Sequence, residues 1–308
     1  MKSKNGVTRK RLVWIVYAAL CLIFGTTFLA IKIGSNAGTP PFLGAGVRFV
    51  VAGMVLVVLR GKLRGPQRPS LSFVGKASLL GLGMVGLAFA CTYWSIQHLQ
   101  SGHAAQIQSS APIIVALLAA VLLRKPLGAL HGLGLGLGFI GALLLVGIAT
   151  GYGDLASVGA LVALGAELFY GLGTIWYRLA FDKGVDSLQV NGFSMLSGGL
   201  FLCVIAVATG QTGLPLSFAA LGSLLYLVIV GSIGGHSMYL WLVGQTGPVL
   251  ASTWLYISPV IATIVGSVVL AEEIGFSSVA GAALVLIGVY WVHRAEHGRR
   301  PNAVRRNC

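Results

Sequence analysis

Apolar runs of about 20 residues follow one another along the whole chain, and they decide what this sequence can fold into. Each is long enough to cross a hydrocarbon core of about 30 Å. Backbone groups in lipid must be satisfied within their own segment, so runs of this length become helices. With 56% hydrophobic and 9% charged residues and a mean hydropathy of +0.89, there is too little polar surface to coat a water-soluble globule. The expected fold class is an all-α polytopic membrane protein.

The runs cover residues 12–33, 41–59, 77–98, 103–123, 127–149, 156–181, 188–209, 219–243, 248–271 and 275–293. With the N-terminus in the cytoplasm, 19 of the 21 Lys and Arg residues fall in inner segments, leaving Lys32 and Arg48 near the outer ends of their spans. The positive-inside rule therefore places both basic tails, 1–11 and 294–308, in the cytoplasm of a cell or inner membrane. The net charge of +14 is scattered over these short segments, which suits anionic lipid headgroups rather than nucleic acid. The run from Leu12 to Ile33 is longer than a usual signal core, so it reads as a retained span despite the Ser35-Asn36-Ala37 that follows. Cys21, Cys91 and Cys203 lie inside apolar runs and give no disulfide framework.

The chain also repeats itself. Gly102–Pro126 recurs 147 residues later as Val249–Glu273, with Pro112 on Pro259, and the same offset pairs Gly134 with Gly281 and Gly141 with Gly288. Near the start of each half, Gly25 falls on Gly171 and Lys32 on Arg178 at an offset of 146. Ten spans thus divide into halves 12–149 and 156–293, joined by 150–155. Five spans per half forces the halves to lie inverted. Arg124-Lys125 in the first copy against Glu272-Glu273 near the end of the second is the charge switch that inversion requires. Inverted repeats with a site at their interface are a recurring transporter plan. Pro112 and Pro259 are expected to kink their helices. The glycine run 132–138 has no preceding strand, so it predicts close packing of the fifth and tenth spans, not a dinucleotide loop.

Phe24, Gly25 and Thr26 with Lys32 downstream, the Pro40–Arg48 stretch, and Ala104–Pro126 resemble the drug/metabolite transporter superfamily, EamA type. So do Ser258-Pro259 and Leu270–Glu273, and the likeness extends over about Leu12 to Trp291. Arg124-Lys125-Pro126 departs from the Gly-Glu common at that place in the family. Less specifically, the chain resembles YddG-type exporters of aromatic amino acids. The resemblance implies a central cavity lined by spans one, three, four, six, eight and nine.

Helical spacing places candidate residues for such a cavity. Tyr17, Cys21, Phe24 and Phe28 share one face of the first span, and their repeat partners are Ala163, Glu167, Tyr170 and Thr174. Gln106 and Ser109 pair with Thr253 and Tyr256, and His236 and Tyr239 lie three apart on the eighth span. Aromatic stripes also serve as ordinary packing, so the group carries more than any member. Glu167 falls near the bilayer centre, where an acid costs a few kcal/mol unless it faces a cavity or a partner. Arg48 is expected to snorkel or pair in a structural role. His98 with His103 makes a weak metal pair, and His293 and His297 read as solvated. The expectation is a secondary transporter exporting a small-molecule substrate, aromatic amino acids first, with organic cations or drugs as the alternative. A membrane-embedded enzyme using His236 and Glu167 is the reading from another class. No cofactor or metal is expected, and the expected state is a monomer or weak homo-oligomer.

Overall fold

The computed structural model describes residues 2–64, 69–99, 107–146, 158–182, 184–270 and 276–298. They form α1 (Lys2–Asn36), α2 (Pro41–Arg64), α3 (Leu71–Ser95), α4 (Ala111–Leu122) and α5 (Ala129–Val146). After these come α6 (Val158–Ala180), α7 (Ser187–Ala208), α8 (Phe218–Thr246), α9 (Pro248–Ser252 and Trp254–Leu270 around a turn at Thr253) and α10 (Phe276–Gly298). Eight of these are long and apolar enough to cross a membrane, while α4 and α5 are shorter apolar helices. The described residues contain no strand. The linker 150–155, His103, Gln106 and Glu272-Glu273 lie outside the described residues.

Burial shows what solvent the fold is built for. Ile15, Leu63, Leu161, Val204 and Val207 are all about two-thirds exposed, an outer surface that only lipid would accept. Polar groups go inward instead: Arg48, Glu167, Asn191, His236 and Thr253 are buried. One core cluster gathers around α1, α6, α8 and α9, and a second lies between α2, α3 and α7.

Helices α2 and α7 form one close pair, α5 and α10 another. Glycines make both possible. A Cβ added to Gly46 would lie 3.2 Å from the Gly199 carbonyl oxygen, and one on Gly53 2.8 Å from that of Gly192. In the other pair, Gly134 faces the Gly288 oxygen at 2.7 Å and Gly141 the Gly281 oxygen at 2.6 Å. This is the packing of the fifth and tenth spans expected from the glycine pattern. The α2–α7 pair is also tied at its ends. Gly210, at φ +71°, turns the chain after α7 so that Gln211 Oε1 accepts from the Phe42 and Leu43 amides at the start of α2. At the far end Asp186 accepts from the Leu188 amide as the N-cap of α7 and from Arg60 on α2.

Two departures from straight α-helix were not expected. Leu82–Leu87 of α3 and Leu227–His236 of α8 are π-helical, and the first stretch maps into the second at the 147-residue offset. The proline expectation is corrected in one half. Pro112 sits in the first turn of α4, where its missing amide hydrogen has no helical partner to lose, so it starts a helix rather than kinking one. Pro259 lies inside its helix. Arg124 ends the α4 region at φ 51°, a left-handed conformation unusual for a side chain of its size. His293 is not solvated: its ring packs edge-on against Trp14, with centroids 4.3 Å apart.

Candidate functional site

The site builds upward from Glu167. It stands nine residues into α6, about 14 Å along the helix at 1.5 Å per residue, and is 7% exposed. No described residue hydrogen-bonds its carboxylate or forms an ion pair with it. Helical spacing puts Tyr170 one turn further along the same face. The Tyr170 hydroxyl accepts from Trp254 Nε1 at 3.1 Å, and its ring lies 5.5 Å from that of Tyr239. The Tyr239 hydroxyl in turn meets Thr174 Oγ1 at 2.8 Å.

From Trp254 the rings continue across to α1 and α8. Phe24 lies 4.2 Å from Trp254 at an interplanar angle of 30°, and 5.4 Å from His236 edge to face. His236 also packs edge-on against Phe49 of α2, and at 6.2 Å from Phe89 of α3. Its Nδ1 lies 3.2 Å from the Gly231 carbonyl five residues earlier, the spacing of the π-helical turn. Edge-to-face and offset geometry of this kind adds about 0.5–1.5 kcal/mol per pair beyond burial. At another edge of the cluster, Tyr17 and Thr253 share a 2.7 Å hydrogen bond between their hydroxyl groups.

The structure thus brings together Tyr17, Phe24, Tyr170, His236, Tyr239 and Thr253, with Glu167 one helical turn from Tyr170. It places Tyr256 elsewhere: the ring packs against Gly138 and the hydroxyl donates to the Leu135 carbonyl at 3.2 Å, holding α9 to α5. Ser109 is buried just before α4. Gln106 and the side chain of Phe28 lie outside the described residues.

Trp254 was missed by sequence reasoning. A face counted through Thr253 and Tyr256 turns away from residue 254, but the turn at Thr253 restarts the helix and swings the indole onto Phe24 and Tyr170. Also missed was a polar cluster beside His236. Asn191 Nδ2 donates to the Ser232 carbonyl at 3.2 Å and to Ser237 Oγ at 2.8 Å. Arg48, expected to snorkel or pair, does not reach out to the surface: it is 3% exposed, and its Nε donates to Ser232 Oγ at 2.7 Å. Among the described residues no group of His, Cys, Asp and Glu could hold a metal ion.

A buried acid and a cluster of packed aromatic rings are thus gathered from several membrane-length helices. Comparison with known proteins finds transporters. The chain is 30% identical over 263 residues to the uncharacterized inner membrane transporter YedA of Escherichia coli (strain K12), over 81% of this chain and 80% of that protein. It is 26% identical over 278 residues to the uncharacterized transporter YoaV of Bacillus subtilis (strain 168), over 88% of this chain and 93% of the other. A protein of known crystal structure superposes with a TM-score of 0.76 over 94% of this chain and 99% of its own, at 18% identity, a likeness of fold alone. The family model of EamA-like transporters matches twice, over residues 11–147 and 157–294, so this multi-pass membrane protein belongs to the EamA-like transporter family.

Proposed function

We propose that the protein exports small amphipathic metabolites, amino acids with aromatic side chains foremost, by alternating access between two inverted five-helix halves. The observation that carries the substrate class is Glu167, a buried acid with no partner among the described residues, one helical turn from Tyr170, whose ring borders Tyr239 and whose hydroxyl accepts from Trp254. An ammonium group is the natural counter-charge for such an acid, and aromatic faces attract both cations and other rings. The double match of the family model and the repeat-related π-helical stretches support the two-halves reading. Both termini lie in the cytoplasm on this reading.

The test is counterflow of L-phenylalanine in proteoliposomes. Glu167→Gln removes a charge-assisted bond and is expected to weaken binding by about 1.5–3 kcal/mol. Wild-type exchange by the mutant would remove Glu167 from substrate binding. The same features also fit an organic cation, the second reading. Phenethylamine competing as well as phenylalanine would favour that reading.

A further inference from the structure

Arg48 is another ionisable group buried inside this bundle. Like Glu167 it has no opposite charge: no described acid pairs with it. Seven residues into α2, it lies about 10 Å along the helix, where a lone cation is costly in lipid. Only part of its hydrogen-bonding capacity is used. Nε donates to Ser232 Oγ, and the guanidinium carbon stands 4.7 Å from the centre of the Phe49 ring. No described oxygen accepts from its two terminal nitrogens.

The place where those nitrogens end is informative. A Cβ built on Gly231 of α8 would lie 2.9 Å from Arg48 Nη2 and 3.1 Å from Thr27 Cγ2 of α1. The fork therefore sits where α1, α2 and the π-helical stretch of α8 meet, and the absence of a side chain at Gly231 leaves room for it. Phe24, one turn before Thr27, and His236, five residues after Gly231, connect this point to the aromatic cage. Asn191 holds the Ser232 carbonyl and Ser237 from the far side, so the Ser232 hydroxyl that orients Arg48 is itself fixed. An arginine held by Nε keeps the geometry that suits a carboxylate: two parallel N–H donors in a plane.

From this we infer that Arg48 is a second ligand-binding group, a fork for the carboxylate of the transported molecule, across the aromatic cage from Glu167. The inference deepens the export reading by giving the substrate a charge of each sign, and it favours amino acids over simple organic cations.

The test uses a matched pair, 3-phenylpropionate and 3-phenylpropanamide, read as ligand-dependent shifts in thermal unfolding of the purified protein in detergent. The two have nearly the same size, and only the acid carries charge. Neither has an ammonium group, so the result does not depend on Glu167. The acid is expected to bind wild-type protein about tenfold or more tighter than the amide. Arg48→Gln should bring that ratio to about one, and Arg48→Lys, a point charge without the fork, should restore it in part. Equal binding of acid and amide by wild type would overturn the inference, as would no binding of either or an unchanged ratio in Arg48→Gln. Equal stabilisation by chloride or inorganic phosphate would overturn the assignment to a carboxylate. If Arg48→Gln fails to fold, the wild-type pair still decides. An intact acid-to-amide ratio with no phenylalanine counterflow would remove the proposed export substrate and leave this site standing.

Discussion

At the scale of single residues, the glycines divide by what a methyl group would meet. A Cβ on Gly288 would lie 2.5 Å from the Gly138 amide nitrogen and 2.6 Å from the Gly134 carbonyl oxygen. Backbone cannot step aside as a side chain can, so α5 and α10 would have to separate. Gly288→Ala is expected to destabilise the protein by about 1–3 kcal/mol. Gly132, also in α5, has nothing within 4 Å of the same added atom. There alanine relieves the conformational entropy of a helical glycine, and Gly132→Ala is expected to gain about 0.5–1 kcal/mol. Unfolding midpoints in one detergent would show opposite signs, and a matching loss at both positions would refute the distinction. The four-residue glycine spacing is visible in the sequence, but which glycines meet backbone is not. That depends on the rotation of α5 about its axis, which its neighbours set.

At the scale of elements, the two prolines that align in the repeat do different things. Inside α9, Pro259 leaves the Leu255 carbonyl without its helical donor, whereas Pro112 opens α4 at a position with no such bond to lose. Pro259→Ala is expected to tighten α9 by up to about 1 kcal/mol and to slow turnover in proteoliposomes with little change in KM. Pro112→Ala should stay within about 0.5 kcal/mol of wild type. Equal effects of both on turnover would show that interior position is not what matters. The eight membrane-length helices were legible, because an apolar run of that length needs no partner to declare itself. That Phe24, Tyr170, His236 and Tyr239 gather in one ring cluster was legible too, from spacing on single helical faces. The π-helical turns and the break at Thr253 were not: they shift the faces beyond them, and nothing in hydropathy marks them. For that reason Trp254 was overlooked, while Tyr256, on a face counted straight through the break, turned out to belong to the contact with α5.

At the scale of the whole molecule, the proposed inverted arrangement would fix which loops face which side. In a variant without native cysteines, Asn36→Cys and Thr212→Cys are expected to react with an impermeant thiol reagent from outside the cell, and Leu63→Cys only after the membrane is opened. Labelling of Leu63→Cys in intact cells would end the ten-span inverted scheme. The glycine seams carry one more consequence. At the repeat offsets Gly46 corresponds to Gly192, and Gly53 to Gly199. Yet Gly46 meets Gly199 and Gly53 meets Gly192; likewise Gly134 meets Gly288 and Gly141 meets Gly281. Each residue touches the counterpart of the other, which is how the patch of a symmetric dimer meets its own copy. A chain of half this length, bearing only the first set of glycines, would hold surfaces able to close both seams against a second copy of itself set upside down. On that view the present protein is a dimer whose subunits have been joined end to end, and it keeps the dimer's interface as its own interior.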